Sequence, residues 1–112
     1  MSKLFILNYH RISDPVTGSG YKNTIGSTRA QFDYQMKYIS NYFKIIDLND
    51  LFNMNIRNCR ESYVAVTFDD GYKDNITTAL PILLKYRVPG VFFITTILLT
   101  IIVYLGWIEF QC

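Results

Sequence analysis

Two neighbouring carboxylates, Asp69 and Asp70, follow directly on the β-branched and aromatic run YVAVTF and precede Gly71. The run reads as a strand that is apolar on both faces, as in a buried parallel sheet. In parallel α/β architectures the carboxyl ends of strands face the crevice that bears the site. Adjacent carboxylates placed there repel each other unless a cation lies between them or one takes a proton. Successive strand residues face opposite ways, so one acid is free to bind a metal while its neighbour reaches a reacting water. Gly71 removes the side chain where the backbone must turn. The plainer alternative is that Asp70 caps the next helix and Asp69 is solvated. The only histidine, His10, follows a second apolar run, LFILNY. It stands either to face the same crevice, as a weak metal ligand, or to be a hydrogen-bonded structural residue.

The elements that must position these side chains are legible in the hydrophobic pattern. Residues 4–9 predict a strand buried on both faces. Residues 13–27, rich in Gly, Ser, Thr and Asn, predict a surface loop. Thr28 and Gln31 stand at capping-box spacing, and Phe32, Met36, Ile39 and Phe43 then follow along one helical stripe. Residues 43–46 predict a short strand, 48–54 one helical turn, and 53–60 a polar turn. A second helix is expected from Asn75 to Tyr86 with Ile76, Leu80, Leu83 and Leu84 inward, bent or restarted at Pro81. The segment VPG then turns the chain into VFFIT, a further strand. Strand, helix, strand, strand, helix, strand is the order of an α/β protein with a parallel sheet.

The 112 residues suffice for one small domain, and half of them are hydrophobic, which excludes a disordered chain. A net charge of +2 with scattered basic residues argues against nucleic acid as a partner. Cys59 and Cys112 are too few for a disulfide framework and read as free thiols in a reducing compartment. At the N-terminus His10 and Arg11 interrupt the apolar run before the core of a signal peptide forms, so no signal peptide is expected. The expected location is cytoplasmic, or membrane-associated through the C-terminal residues.

The segment YVAVTFDDGYKDNITTALPILLKYRVPGVFFITT resembles the first signature block of the polysaccharide deacetylase family, the NodB-homology carbohydrate esterases. LNYHRIS resembles the opening strand of one branch of that family, and QFDYQMKYISNYFKIIDLNDL its first helix and second strand. The resemblance runs from Leu4 to Thr96. It implies an incomplete distorted (β/α) barrel and removal of N- or O-acetyl groups from an acetylated polysaccharide or oligosaccharide with a divalent metal, usually zinc. It implies further that Asp69 is the catalytic base and Asp70 a metal ligand. The chemistry agrees with the residues: a divalent cation makes water nucleophilic at neutral pH, and a nearby carboxylate takes the proton as the water attacks. The sequence departs from the family in having no His-x-x-x-His pair of metal ligands, and in Arg87 and Gly90, where relatives tend to carry Gly and Ala. Arg87 is expected to be strained if the helix before it ends in a left-handed residue.

The C-terminal residues divide the chain into a partial deacetylase domain, residues 1–96, and a divergent hydrophobic tail, residues 97–112. All Lys and Arg lie at or before Arg87, and Val91 to Ile108 carries no charge. This stretch fits either a marginal transmembrane helix or a barrel strand at residues 91–94 followed by further β-rich sequence. The leading expectation is a polysaccharide deacetylase by descent, inactive in isolation. A non-catalytic, membrane-attached fragment is one alternative. A magnesium-dependent phosphotransfer domain is another, though it lacks a phosphate-cradling glycine loop after a strand.

Overall fold

The computed structural model describes residues 3–14, 26–48, 50, 61–95 and 100–105. Strand β1 (Lys3–Tyr9) is followed by β2 (Arg11–Ile12), β3 (Gly26–Ser27), helix α1 (Arg29–Tyr42) and β4 (Lys44–Ile45). Strand β5 (Ser62–Phe68), a π-helical turn (Asn75–Ala79), helix α2 (Leu80–Tyr86), β6 (Gly90–Thr95) and β7 (Thr100–Leu105) complete it. The architecture is mixed α/β. β1, β4 and β6 all pair with β5 in parallel, β1 along its whole length, β4 at Tyr63–Val64 and β6 at Val66–Phe68. β2 and β3 form a separate parallel pair that fastens the two ends of the β1–α1 connection. Its β3 half falls within what the sequence reads as the 13–27 loop, because two-residue strands carry no periodicity to detect.

β5 sorts its side chains by parity. Val64, Val66 and Phe68 face both helices, meeting Phe32, Met36 and Ile39 of α1 and Ala79, Ile82 and Leu83 of α2. Tyr63 and Ala65 take the other face with Ile46. Helix α1 begins as its sequence predicts: the Thr28 hydroxyl accepts from the Gln31 N–H, and the Gln31 side chain accepts from the Thr28 N–H. Its buried stripe is Phe32, Met36 and Ile39. At its far end the structure gives Phe43 an extended backbone.

The second helix meets expectation in part: Leu83 is buried and Leu80 half-buried. Asn75, Ala79, Ile82 and Leu83 are inward, whereas Ile76 and Leu84 are exposed. One inward position is taken by a polar residue, Asn75, which is hydrogen-bonded to the His10 carbonyl. Pro81 sits in the first turn of α2, where its missing N–H costs nothing, and the π turn precedes it. Arg87 adopts the left-handed conformation, φ 55°, at the helix end. Its N–H donates to the Leu84 carbonyl and that of Val88 to the Leu83 carbonyl, a Schellman-type closure that glycine would fill without the Cβ penalty.

The uncharged C-terminal stretch is no helix where it is described. β7 folds back antiparallel on β6, with Gly90 opposite Leu105 and Thr95 opposite Thr100. Where 91–108 is described, at 91–95 and 100–105, it is strand, and no helix among the described residues is long and apolar enough to cross a membrane. The expected one-turn helix at 48–54 is described only at Leu48 and Asp50, where the Asp50 N–H donates to the Asp47 carbonyl. The polar turn at 53–60, the core of the 13–27 loop, Cys59, Cys112 and residues 106–112 lie outside the described residues.

Candidate functional site at the carboxyl end of the central strand

The site forms where β5 ends. The β1–β5 ladder closes with the Asp69 N–H donating to the Tyr9 carbonyl at 2.9 Å. The chain then turns through two consecutive left-handed residues, Asp70 at φ 75° and Gly71 at φ 63°. Aspartate tolerates this region better than most residues because its short polar side chain can bond locally. At Gly71 a Cβ would also meet the Ile94 side chain at 3.3 Å. The turn brings both carboxylates towards one imidazole. His10 Nε2 lies 3.8 Å from Asp69 Oδ2 and 4.0 Å from Asp70 Oδ2, beyond direct hydrogen bonding.

The expected opposition of the two acids therefore does not hold. Strand alternation would send them to opposite faces, but the strand stops at Phe68 and the left-handed turn swings Asp70 back. Nor does Asp70 cap the next helix: Asp74 holds that position, without a side-chain cap bond. His10 faces the acids.

Asp69 is held by residues that the sequence reading passed over. Asn8 Nδ2 donates to Asp69 Oδ2 at 3.0 Å, and the Thr67 hydroxyl lies 3.0 Å from Asn8 Oδ1 and 3.1 Å from the Leu7 carbonyl. Thr67 is buried, so its hydroxyl must bond inside the protein. The available signal was register: in parallel pairing, Asn8, one residue before the ladder's end on β1, stands beside Thr67 of the strand that leads to the acids. Tyr9, one residue further, packs on Phe32 and Phe68 and donates its hydroxyl to Gln35 Oε1 at 2.6 Å. Burial pushes its phenol up to about 12, so it stays protonated at neutral pH.

Tested as a metal centre, these residues fall short. Among the described residues no group of three or more His, Cys, Asp or Glu could hold a metal ion. A catalytic zinc takes about three protein ligands, and the side chains of His10, Asp69 and Asp70 are 34%, 39% and 56% exposed. Two carboxylates and an imidazole make a polar rim, not a closed coordination shell. Beside it an open groove of about 710 Å³ runs between β1 and α1, and Asn8 and His10 belong to its wall.

The polysaccharide deacetylase family model matches residues 57–101, which include β5, the two acids, α2 and β6. YxkH of Bacillus subtilis (strain 168), named as a polysaccharide deacetylase, is 34% identical over 95 residues, covering 82% of this chain and 32% of that protein. Residues 57–101 carry the polysaccharide deacetylase signature, and the chain is similar to members of that family. It spans about a third of the length of this curated relative. A polysaccharide deacetylase from Bacillus cereus superposes with a TM-score of 0.65 at 28% identity, over 82% of this chain and 29% of that one. The Streptococcus pyogenes deacetylase PplD, in complex with acetate, superposes with a TM-score of 0.68 at 23% identity, over 82% of this chain and 42% of that one, a likeness of fold. The family match extends through β6 to residue 101, inside β7, so it runs a few residues past the Thr96 limit of the sequence resemblance.

Proposed function

We propose that these residues supply the base-bearing part of a deacetylase that hydrolyses N- or O-acetyl groups on a glycan, and that the 112 residues alone do not turn over. The observation that carries this reading is the placement of Asp69 and Asp70 together on the sheet rim at the end of β5, with Asp69 held by Asn8. Asp69 is the group that takes the proton from water as the water attacks the acetyl carbonyl. The Asn8 amide leaves its other oxygen free for that role, and proton transfer of this kind contributes about 10²–10⁴-fold. Asp70 is the residue we assign to a divalent cation, zinc by family resemblance, with the remaining donors coming from polypeptide beyond the described residues. The open sheet is read as the first part of a distorted (β/α) barrel.

The test is a chimera in which residues 4–95 replace the matching segment of full-length Bacillus subtilis YxkH, assayed on an acetylated chito-oligosaccharide. Acetate release by the chimera, lost on chelation and reduced about 100-fold or more by Asp69→Asn, is the expected result. A folded chimera without activity, or one that Asp69→Asn leaves unimpaired, overturns the assignment. Chelator-sensitive hydrolysis by the isolated chain overturns the claim that it is incomplete.

A further inference from the structure

We infer that Asn75 is a positioning residue, one that sets His10 against the two carboxylates by holding the His10 backbone. The inference rests on the reading that Asp69, Asp70 and His10 form the site.

The β1–β5 ladder has its last bond at Tyr9, because β5 turns away at Asp69. The next carbonyl, that of His10, lies past the end of β1, outside that ladder, and its donor comes from elsewhere. Asn75 Nδ2 is that donor, at 2.9 Å. Asn75 is 2% exposed, in a helical segment whose other inward positions are apolar. Burying an amide at this depth is costly without partners; its Nδ2 donates to His10 and, at 3.5 Å, to Asp74 Oδ1, while its Oδ1 finds no partner among the described residues. The preceding residue fastens the next stretch of the same segment. Asp74 Oδ1 accepts from the Ile12 N–H at 3.3 Å, and Asp74 Oδ2 from Arg11 Nε at 3.2 Å. Arg11 in turn lies over the Tyr72 ring, 5.1 Å from its centre.

The connection is circular. From Asp69 and Asp70 the chain turns at Gly71, and within a few residues Asp74 and Asn75 grip residues 10–12, whose imidazole faces the acids. A shift of the turn that moves the carboxylates thus carries the His10 backbone with it, and the gaps of 3.8 Å and 4.0 Å are kept as a unit. Asparagine suits the task because its amide donates, whereas an aspartate of the same shape only accepts.

His10 is the only histidine, so its ring protons are uniquely assignable by NMR. In the unmodified chain the expected signs are a through-bond coupling from the Asn75 side-chain amide to the His10 carbonyl, and NOEs from the His10 ring to the β-protons of Asp69 and Asp70. Asn75→Asp and Asn75→Ala are expected to abolish those NOEs while core resonances of Val66 and Phe68 persist. Thr28→Ala, a destabilising change at the α1 cap, is expected to keep them, which separates positioning from general loosening. Absence of the coupling in the unmodified chain, or NOEs that survive in a folded Asn75 variant, overturns the inference. Neither readout depends on turnover, so failure here is distinct from failure of the deacetylase reading.

Discussion

β1 and β5 lie side by side in strict register, from Lys3 opposite Ser62 to Tyr9 opposite Phe68, and both are apolar runs. Yet from Tyr63 to Phe68 every residue of β5 is buried, whereas no residue of β1 is. Phe5 is 45% and Ile6 53% exposed. The difference is position in the sheet. β5 has β1 on one side and β4 and β6 on the other, with helices over one face. β1 is an edge strand among the described residues, with β5 as its partner. Two strands of like composition therefore contribute unequally, because burial depends on what neighbours supply and not on the run itself.

The strongest way to break this comparison is to truncate one aromatic on each strand. Phe68 is fully buried and stacks on Phe92 with ring centres 4.6 Å apart, while Phe5 meets Phe43 edge-on at a half-exposed site. Phe68→Ala is expected to cost about 3–5 kcal/mol and Phe5→Ala about 1 kcal/mol or less by denaturant unfolding. Equal losses would mean that β1 is as central as β5.

A smaller effect sharpens the packing of the β5 side. At Gly90 an added Cβ would stand 3.1 Å from a Leu83 methyl and 3.3 Å from the Phe68 ring. Gly90→Val is expected to destabilise by about 1–3 kcal/mol through overpacking, seen as a lower unfolding midpoint at unchanged slope. A neutral result would show slack where β6 closes on β5.

The mildest prediction concerns how α1 is tied to α2 across the core face. Asp33 accepts from the Tyr86 hydroxyl and, at 3.1 Å, from Lys85 Nζ. These two, the Tyr86 bond foremost, hold its carboxyl below the usual range. A carboxylate depressed on folding adds stability above its unfolded value and loses it as pH falls through the folded one. The stability gap between the parent chain and Asp33→Asn is therefore expected to narrow on acidification, measured by thermal unfolding across pH. A gap that widens with acid contradicts the tie.

The same contrast governs how much of the site could be read in advance. Asp69 and Asp70 were legible because an apolar strand followed by two acids and a glycine is a local pattern. His10 was legible as a candidate because it is alone and ends a strand. Asn8, Thr67 and Asn75 were not, since each matters through a partner about 60 residues away in the chain. The second helix was legible only in part: Leu83 is buried, but Ile76 and Leu84 are exposed, and Asn75, bonded to the His10 carbonyl, is inward.

What the residues determined unaided were the local events. These include the Thr28–Gln31 cap, the α1 stripe, the strand before the acids, and the left-handed demand at Arg87, all decided by interactions within a few positions. Tertiary structure alone decided which strand is central, that both acids come to one imidazole, and that β7 pairs antiparallel with β6. Those outcomes depend on register and on buried polar groups finding distant partners, and neither is encoded in the spacing of any one segment.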